Sequence, residues 1–195
     1  MKNAPRSLRL IGLTGSIASG KSTVLAELAR RGAYTLSADE LVRELYKTPA
    51  VRRWLEKKLG SCEPAQVAKR VFADPLLRQQ LEKFLHPRVW RLALKKLAAC
   101  PQPWAVLEVP LLFEAGWEQK TDLTVLVSAS EKTLSARLTS RAITPAAYAV
   151  RRQTQLSEAE KIRRADIVLL NNGTKRTLQQ KAGRLYDALT DLYVK

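Results

Sequence analysis

Between an apolar run ending at Leu13 and a helical pattern opening at Lys21, the chain reads Gly15-Ser16-Ile17-Ala18-Ser19-Gly20-Lys21-Ser22-Thr23, a complete G-x-x-x-x-G-K-[ST] phosphate loop. Such a loop works only where a strand delivers it and a helix leaves it. Its glycines let backbone N–H groups close on phosphate oxygens, and the helix N-terminus adds further donors and a favourable dipole. Lys21 reaches the β- and γ-phosphates, and the Ser22 hydroxyl can then ligate magnesium. The whole run from Gly15 to Thr23 is therefore the candidate ATP site.

The rest of the chain supplies the sheet that the loop requires. Leu8 to Leu13 is the first short apolar segment, and YTLSAD, WAVLEVP, DLTVLVSAS and DIVLLNN follow it, separated by charged helical stretches. This alternation predicts an α/β fold, a five-stranded parallel sheet sandwiched by helices. Two connections exceed a plain crossover. Residues 40–102 are amphipathic and helical in pattern, punctuated by Pro49, Gly60, Pro64, Pro75 and Pro87, and read as an inserted helical subdomain that holds the acceptor. Residues 141–165 are polar and rich in Arg, with Thr144-Pro145 as one helix start and Ser157 to Glu160 as the capping box of another. They read as a lid. The core is then about 7–39, 103–140 and 166–195 of a single domain, ending in one long helix from Thr174 to Val194.

A length of 195 residues with 46% apolar composition is ample for one packed core. No run approaches the roughly 18 apolar residues of a membrane span, and the first apolar stretch leads straight into the phosphate loop, so a cytoplasmic protein without membrane contact is expected. Cys62 and Cys100 are far apart and there is one His, which gives neither a zinc site nor a disulfide framework. The net charge of +16 attracts phosphate-rich partners, whether nucleic acid or small polyanions such as ATP. No nucleic-acid reading motif accompanies it, so no specific nucleic acid is expected as a partner.

Further residues carry candidate chemistry. Asp39 follows the second strand, whose carboxyl end in a parallel sheet lies beside the phosphate loop. It can accept the proton of an attacking hydroxyl, help hold magnesium, or simply cap the next helix. Glu108 sits at the end of the third strand like a magnesium-water acid, or as a paired strand-end carboxylate. Glu114 is a candidate for orienting the acceptor or an arginine of the lid, with helix capping as the plainer reading. Arg137 and Arg141 lie four apart on one helix face, where guanidinium forks can meet phosphate oxygens. Asn172-Gly173 follows the last strand, where this class of fold passes near adenine, although a simple turn is its rival. The absence of N-K-x-D argues against a common GTPase, and the length leaves no room for a helicase's second domain. A nucleoside or nucleotide kinase and a basic, ATP-regulated nucleic-acid-binding protein are the alternatives.

The segments LIGLTGSIASGKST, SADELVRELY, LHPRVW, VPLLFEAG and ADIVLLNNG, in that order, resemble the dephospho-coenzyme A kinase family. The resemblance spans nearly the whole chain. It implies ATP-dependent phosphorylation of the ribose 3′-hydroxyl of dephospho-coenzyme A, the last step of coenzyme A biosynthesis; magnesium is expected from the phosphate loop, and a monomer is expected. Carried over by position, it places the catalytic acidic residue on Asp39 and the lid arginine on Arg141, and it makes His86, before Pro87, a structural or acceptor-contacting residue. Ser16 and Ala18 stand where the family usually has glycine, so their backbone is expected in conformations open to residues with a Cβ.

Overall fold

A computed structural model of the chain describes residues 8–140 and 155–194. Its strands are β1 (Arg9–Thr14), β2 (Tyr34–Ser37), β3 (Trp104–Glu108), β4 (Leu123–Ser128) and β5 (Ile167–Leu170). They form one sheet in the order β2-β3-β1-β4-β5, with β1 at its centre. The pairing is parallel, setting Leu13 beside Glu108 on β3 and beside Val125 on β4. β1 and β3 are buried almost throughout, which explains their unbroken apolar character: strands covered on both faces have no reason to alternate.

The helices are α1 (Lys21–Arg30), α2 (Ala38–Tyr46), α3 (Pro49–Leu59), α4 (Pro64–Ala73), α5 (Pro75–Leu97), α6 (Glu131–Ser140), α7 (Glu158–Arg164) and α8 (Lys175–Tyr193). Contacts divide the chain into two compact units, one of residues 37–99 and the other of everything before and after.

In the discontinuous unit, Val24 and Leu28 of α1 and Leu178, Ala182, Leu185 and Leu189 of α8 pack with Ile11, Leu13, Val106, Val125 and Val127 of the sheet. At the edge of this core Trp104 meets Tyr186 edge to face, with 5.4 Å between ring centres. Carboxylates fix the starts of the strands. Asp122 accepts from the Leu10 amide at 2.7 Å and pairs with Arg9, and Asp166 accepts from both the amide and the hydroxyl of Thr124.

Residues 37–99 carry a core of their own around Val51, Leu55, Leu59, Val67, Leu81 and Leu85. Pro49, Pro64 and Pro75 open α3, α4 and α5, where their missing N–H would be unpaired in any case. Gly60 ends α3 at φ 61°, as a left-handed cap favours. Pro87 does not punctuate the chain, contrary to the pattern: α5 runs through it for 23 residues. Just past it, the Arg88 guanidinium donates to the Phe84 carbonyl at 2.6 Å and lies 3.7 Å from the Phe84 ring centre, while that ring stacks on Trp54. These contacts brace the turn in which proline removes a helical hydrogen bond. No helix among the described residues is long and apolar enough to cross a membrane.

Candidate active site

The phosphate loop begins where β1 ends. Gly15 has φ 151°, and a Cβ there would sit 2.3 Å from the Val127 carbonyl oxygen on β4. Only glycine lets the loop turn so close to the sheet. Gly20, at φ 111°, opens α1, and a Cβ on it would meet Asn171 Nδ2 at 2.5 Å and Leu178 at 2.7 Å. No side chain caps α1 and its first turn holds no acid, so the helix end presents its donors beside the positive side chain of Lys21. Ala18 corrects an expectation. It adopts φ 61°, a left-handed conformation that a Cβ disfavours. Its methyl is buried with Ala129, Leu134 and Leu138, contacts that offset part of that strain.

Lys21 folds over the loop, its Nζ donating to the carbonyls of Gly15 at 2.7 Å and Ser16 at 3.1 Å. The Ser22 hydroxyl, one residue on, is exposed. Thr14 Oγ1 donates to the Pro110 carbonyl and the Val109 amide to the Leu13 carbonyl, which fastens the exit of β1 to the exit of β3.

Arg137 is the chief support of the loop. From α6 its guanidinium donates to the carbonyls of Ala18 and Ser19, each at 3.4 Å, to both oxygens of Asn171 and to the Gly173 carbonyl. Asn171, buried after β5, donates from Nδ2 to the Ser19 carbonyl at 2.7 Å. Asn172 faces another way, its Oδ1 accepting from the Ser130 amide at 2.7 Å. Thus the asparagine that grips the loop is the neighbour of the one the sequence singles out. Two adjacent asparagines at a strand end give no pattern that tells which turns inward.

Asp39 is exposed in the first turn of α2, two residues after β2 ends; Ser37 holds the N-cap position. The plain capping role therefore does not fall to Asp39. His86 lies half-buried on α5, within residues 37–99. Glu108 is buried at the last position of β3. Glu114 accepts from the Leu156 amide at 2.8 Å and lies 3.6 Å from the ammonium of Lys161. Its carboxylate thus anchors the chain just before α7. Half of the expected capping box forms: Ser157 accepts from the Glu160 amide, while the Glu160 carboxylate pairs with Arg163. Arg141 and Thr144-Pro145 lie outside the described residues.

One carboxyl has a displaced protonation equilibrium. Hydrogen bonding from Arg30, at 2.6 Å, holds Glu27 of α1 down at about 2, with Arg31 adding to the effect and burial opposing it. Arg31 also reaches Asp187 on α8, so the group ties the helix behind the phosphate loop to the last helix.

A glycine-bearing loop passing from the central parallel strand into an uncapped helix, with its lysine over the loop, defines the P-loop class of nucleotide-binding proteins. Within that class the chain belongs to the dephospho-CoA kinase family, whose sequence model, described as dephospho-CoA kinase, matches residues 9–177. The dephospho-CoA kinase of Symbiobacterium thermophilum is 39% identical over 181 residues, covering 86% of this chain and 75% of that one. That of Anaeromyxobacter dehalogenans is 41% identical over 192 residues, covering 91% and 90%. A solved structure from Thermus thermophilus superposes with a TM-score of 0.82 at 34% identity, covering 94% of this chain and 98% of that one.

Proposed function

We propose that the chain transfers the γ-phosphoryl group of ATP to the ribose 3′-hydroxyl of dephospho-coenzyme A, giving coenzyme A and ADP, as a monomer in the cytoplasm. The observation that carries this reading is the phosphate loop built from Gly15 to Thr23, with Lys21 Nζ folded onto the carbonyls of Gly15 and Ser16. Phosphoryl transfer asks little covalent chemistry of the protein and much positioning of charge. Lys21 neutralises charge developing on the transferred group. Arg141 spreads that charge further. Asp39 accepts the hydroxyl proton as the new phosphorus–oxygen bond forms and the bond to the ADP oxygen breaks. Residues 40–102 hold the acceptor, with His86 among its contacts, and Asn172 lies toward the adenine.

The donor set suits magnesium. An exposed serine hydroxyl at the second position of α1 is a hard oxygen ligand of the kind this ion takes beside substrate phosphates and water. Ser22 would hold it, and it would supply charge neutralisation across the β- and γ-oxygens. The test is ATP consumption with dephospho-coenzyme A set beside adenosine, AMP and pantetheine, in the parent and in Lys21→Ala. Turnover with dephospho-coenzyme A alone, lost in a folded Lys21→Ala, supports the reading. Turnover with AMP or adenosine instead overturns the acceptor, and an active Lys21→Ala overturns the mechanism.

A further inference from the structure

Among the described residues, the most deeply buried ionisable side chain is one to which the chemistry above gives no role. Lys161, near the middle of α7, is 1% exposed. Its Nζ donates to Gln155 Oε1 at 2.9 Å, in the segment just before the helix, and pairs with Glu114 Oε1 at 3.6 Å, in the loop after β3. The second oxygen of Glu114 is buried with no hydrogen-bond partner among the described residues. Interior ion pairs of this kind contribute little net stability, because desolvation consumes most of the attraction, and an apolar residue of similar size serves a core as well. A lysine at this position asks for another reason.

Its neighbours on the helix supply one. Residues three apart are neighbours on a helix surface, so Glu158, Lys161 and Arg164, at successive three-residue steps, make a connected band within one half of α7. On that side of α7, Glu158 Oε2 accepts from the hydroxyl of Ser16 at 2.9 Å, inside the phosphate loop. At the far end Arg164 donates to the Phe113 carbonyl, lies over the Phe113 ring with 5.1 Å to its centre, and pairs with Glu118. One short helix thus grips the phosphate loop at its first turn and the loop after β3 along the rest of its length. Lys161 stands between the two grips and fastens both α7's leading segment and Glu114.

We propose that Lys161 is a positioning residue for phosphoryl transfer, which acts through α7, Glu158 and Ser16 to hold the phosphate loop at a fixed offset from the loop after β3. The inference rests on the kinase reading above. Its test includes ATP affinity measured by calorimetry, which does not depend on the acceptor. Lys161→Met should lower kcat/KM for ATP about 10- to 100-fold, the scale of a sub-ångström to ångström misplacement of a reacting group.

Removing the lysine alone also strands the Glu114 charge, so Glu114→Gln with Lys161→Met is the decisive variant. Gln still accepts from the Leu156 amide. If the double variant regains the parent's melting temperature while ATP affinity and turnover stay depressed, positioning is supported. Recovery of both together makes Lys161 a charge-balancing residue and overturns the proposal, as does a Lys161→Met enzyme within twofold of the parent. Should neither variant fold, the other end of the link decides. Ser16→Ala and Glu158→Ala should each weaken ATP binding several-fold and together no more than either alone. Additive effects, or none, would overturn the link.

Discussion

The guanidinium of Arg137 donates to both oxygens of Asn171, at 3.0 and 3.2 Å, while the amide of Asn171 donates to the phosphate-loop carbonyl of Ser19. A side chain from α6 and one just past β5 therefore hold the loop's outer carbonyls in place. Arg137→Ala leaves at least the buried Asn171 oxygen short of a donor. The expected loss is about 1–3 kcal/mol of stability, together with weaker ATP binding. Lys at this position restores a charge but not the fork, so Arg137→Lys should recover only part of either. Thermal melts and ATP titrations on the two variants check this. Parental behaviour of Arg137→Ala in both would remove the strut from the account.

Asp39→Asn should lower turnover with dephospho-coenzyme A by roughly 10²- to 10⁴-fold, with little change in ATP affinity. Asp39 stands in the first turn of α2 rather than at its cap, so the helix loses only a favourable dipole contact of about 0.3–1 kcal/mol. Unchanged transfer would dismiss the base. Joint loss of transfer and ATP binding would point to metal holding.

Two of the three positive-φ positions of the phosphate loop, Gly20 and Ala18, should respond differently. Gly20→Ala introduces a Cβ at φ 111° that meets Asn171 and Leu178 below 3 Å. Overpacking and strain together should cost about 1–3 kcal/mol, with ATP affinity falling alongside. Ala18→Gly relieves about 1–2 kcal/mol of left-handed strain. It forfeits about 0.8 kcal/mol of methyl burial and a comparable entropy term, so the net change lies within about 1 kcal/mol of zero. Chemical denaturation of both variants separates them, and an equal loss in the two would contradict the assignment.

The pH dependence of stability has a contribution of known sign. The Glu27 carboxyl titrates near 2 in the folded chain, below its ordinary 4.5. A depressed carboxyl stabilises the fold fully above the unfolded value, and that stabilisation fades as pH falls from about 4.5 through about 2. Glu27→Gln should therefore melt below the parent at neutral pH, and the gap should close across that window. A gap that stays constant from pH 7 to pH 2 would rule out this carboxylate as its source.

What the sequence discloses and what it conceals divide along physical lines. The phosphate loop is legible because backbone geometry demands glycine at Gly15 and Gly20 and the chemistry demands Lys21. β1, β3 and β4 are legible because burial on both faces favours largely apolar runs. Pro87 misleads, since a helix tolerates proline when side chains such as Arg88 brace the adjoining turn. Asn171 is hidden by its twin, Asn172. Lys161, Glu158 and Arg164 look like any charged face on a short helix, and only the fold brings Glu114, Ser16 and Glu118 against them. The nearest sequence signal is the capping box at Ser157, which marks where α7 begins but not which side it buries.

The strand order also bears on how the molecule is made. Neither neighbour of β1 in the sheet exists until residues 104–128 have been synthesised, and β2 precedes its own neighbour β3 by some 70 positions. A growing chain therefore displays Leu10, Ile11 and Leu13 without a sheet to receive them through the synthesis of residues 37–99, which build a core of their own. Pairings so distant along the sequence form slowly, and unpaired apolar strands meanwhile invite misassociation. Since Asn171 must still arrive to grip Ser19, the nucleotide cradle that begins at residue 15 is among the last parts of the protein to be finished, and chains cut short before β5 should bind chaperones rather than ATP.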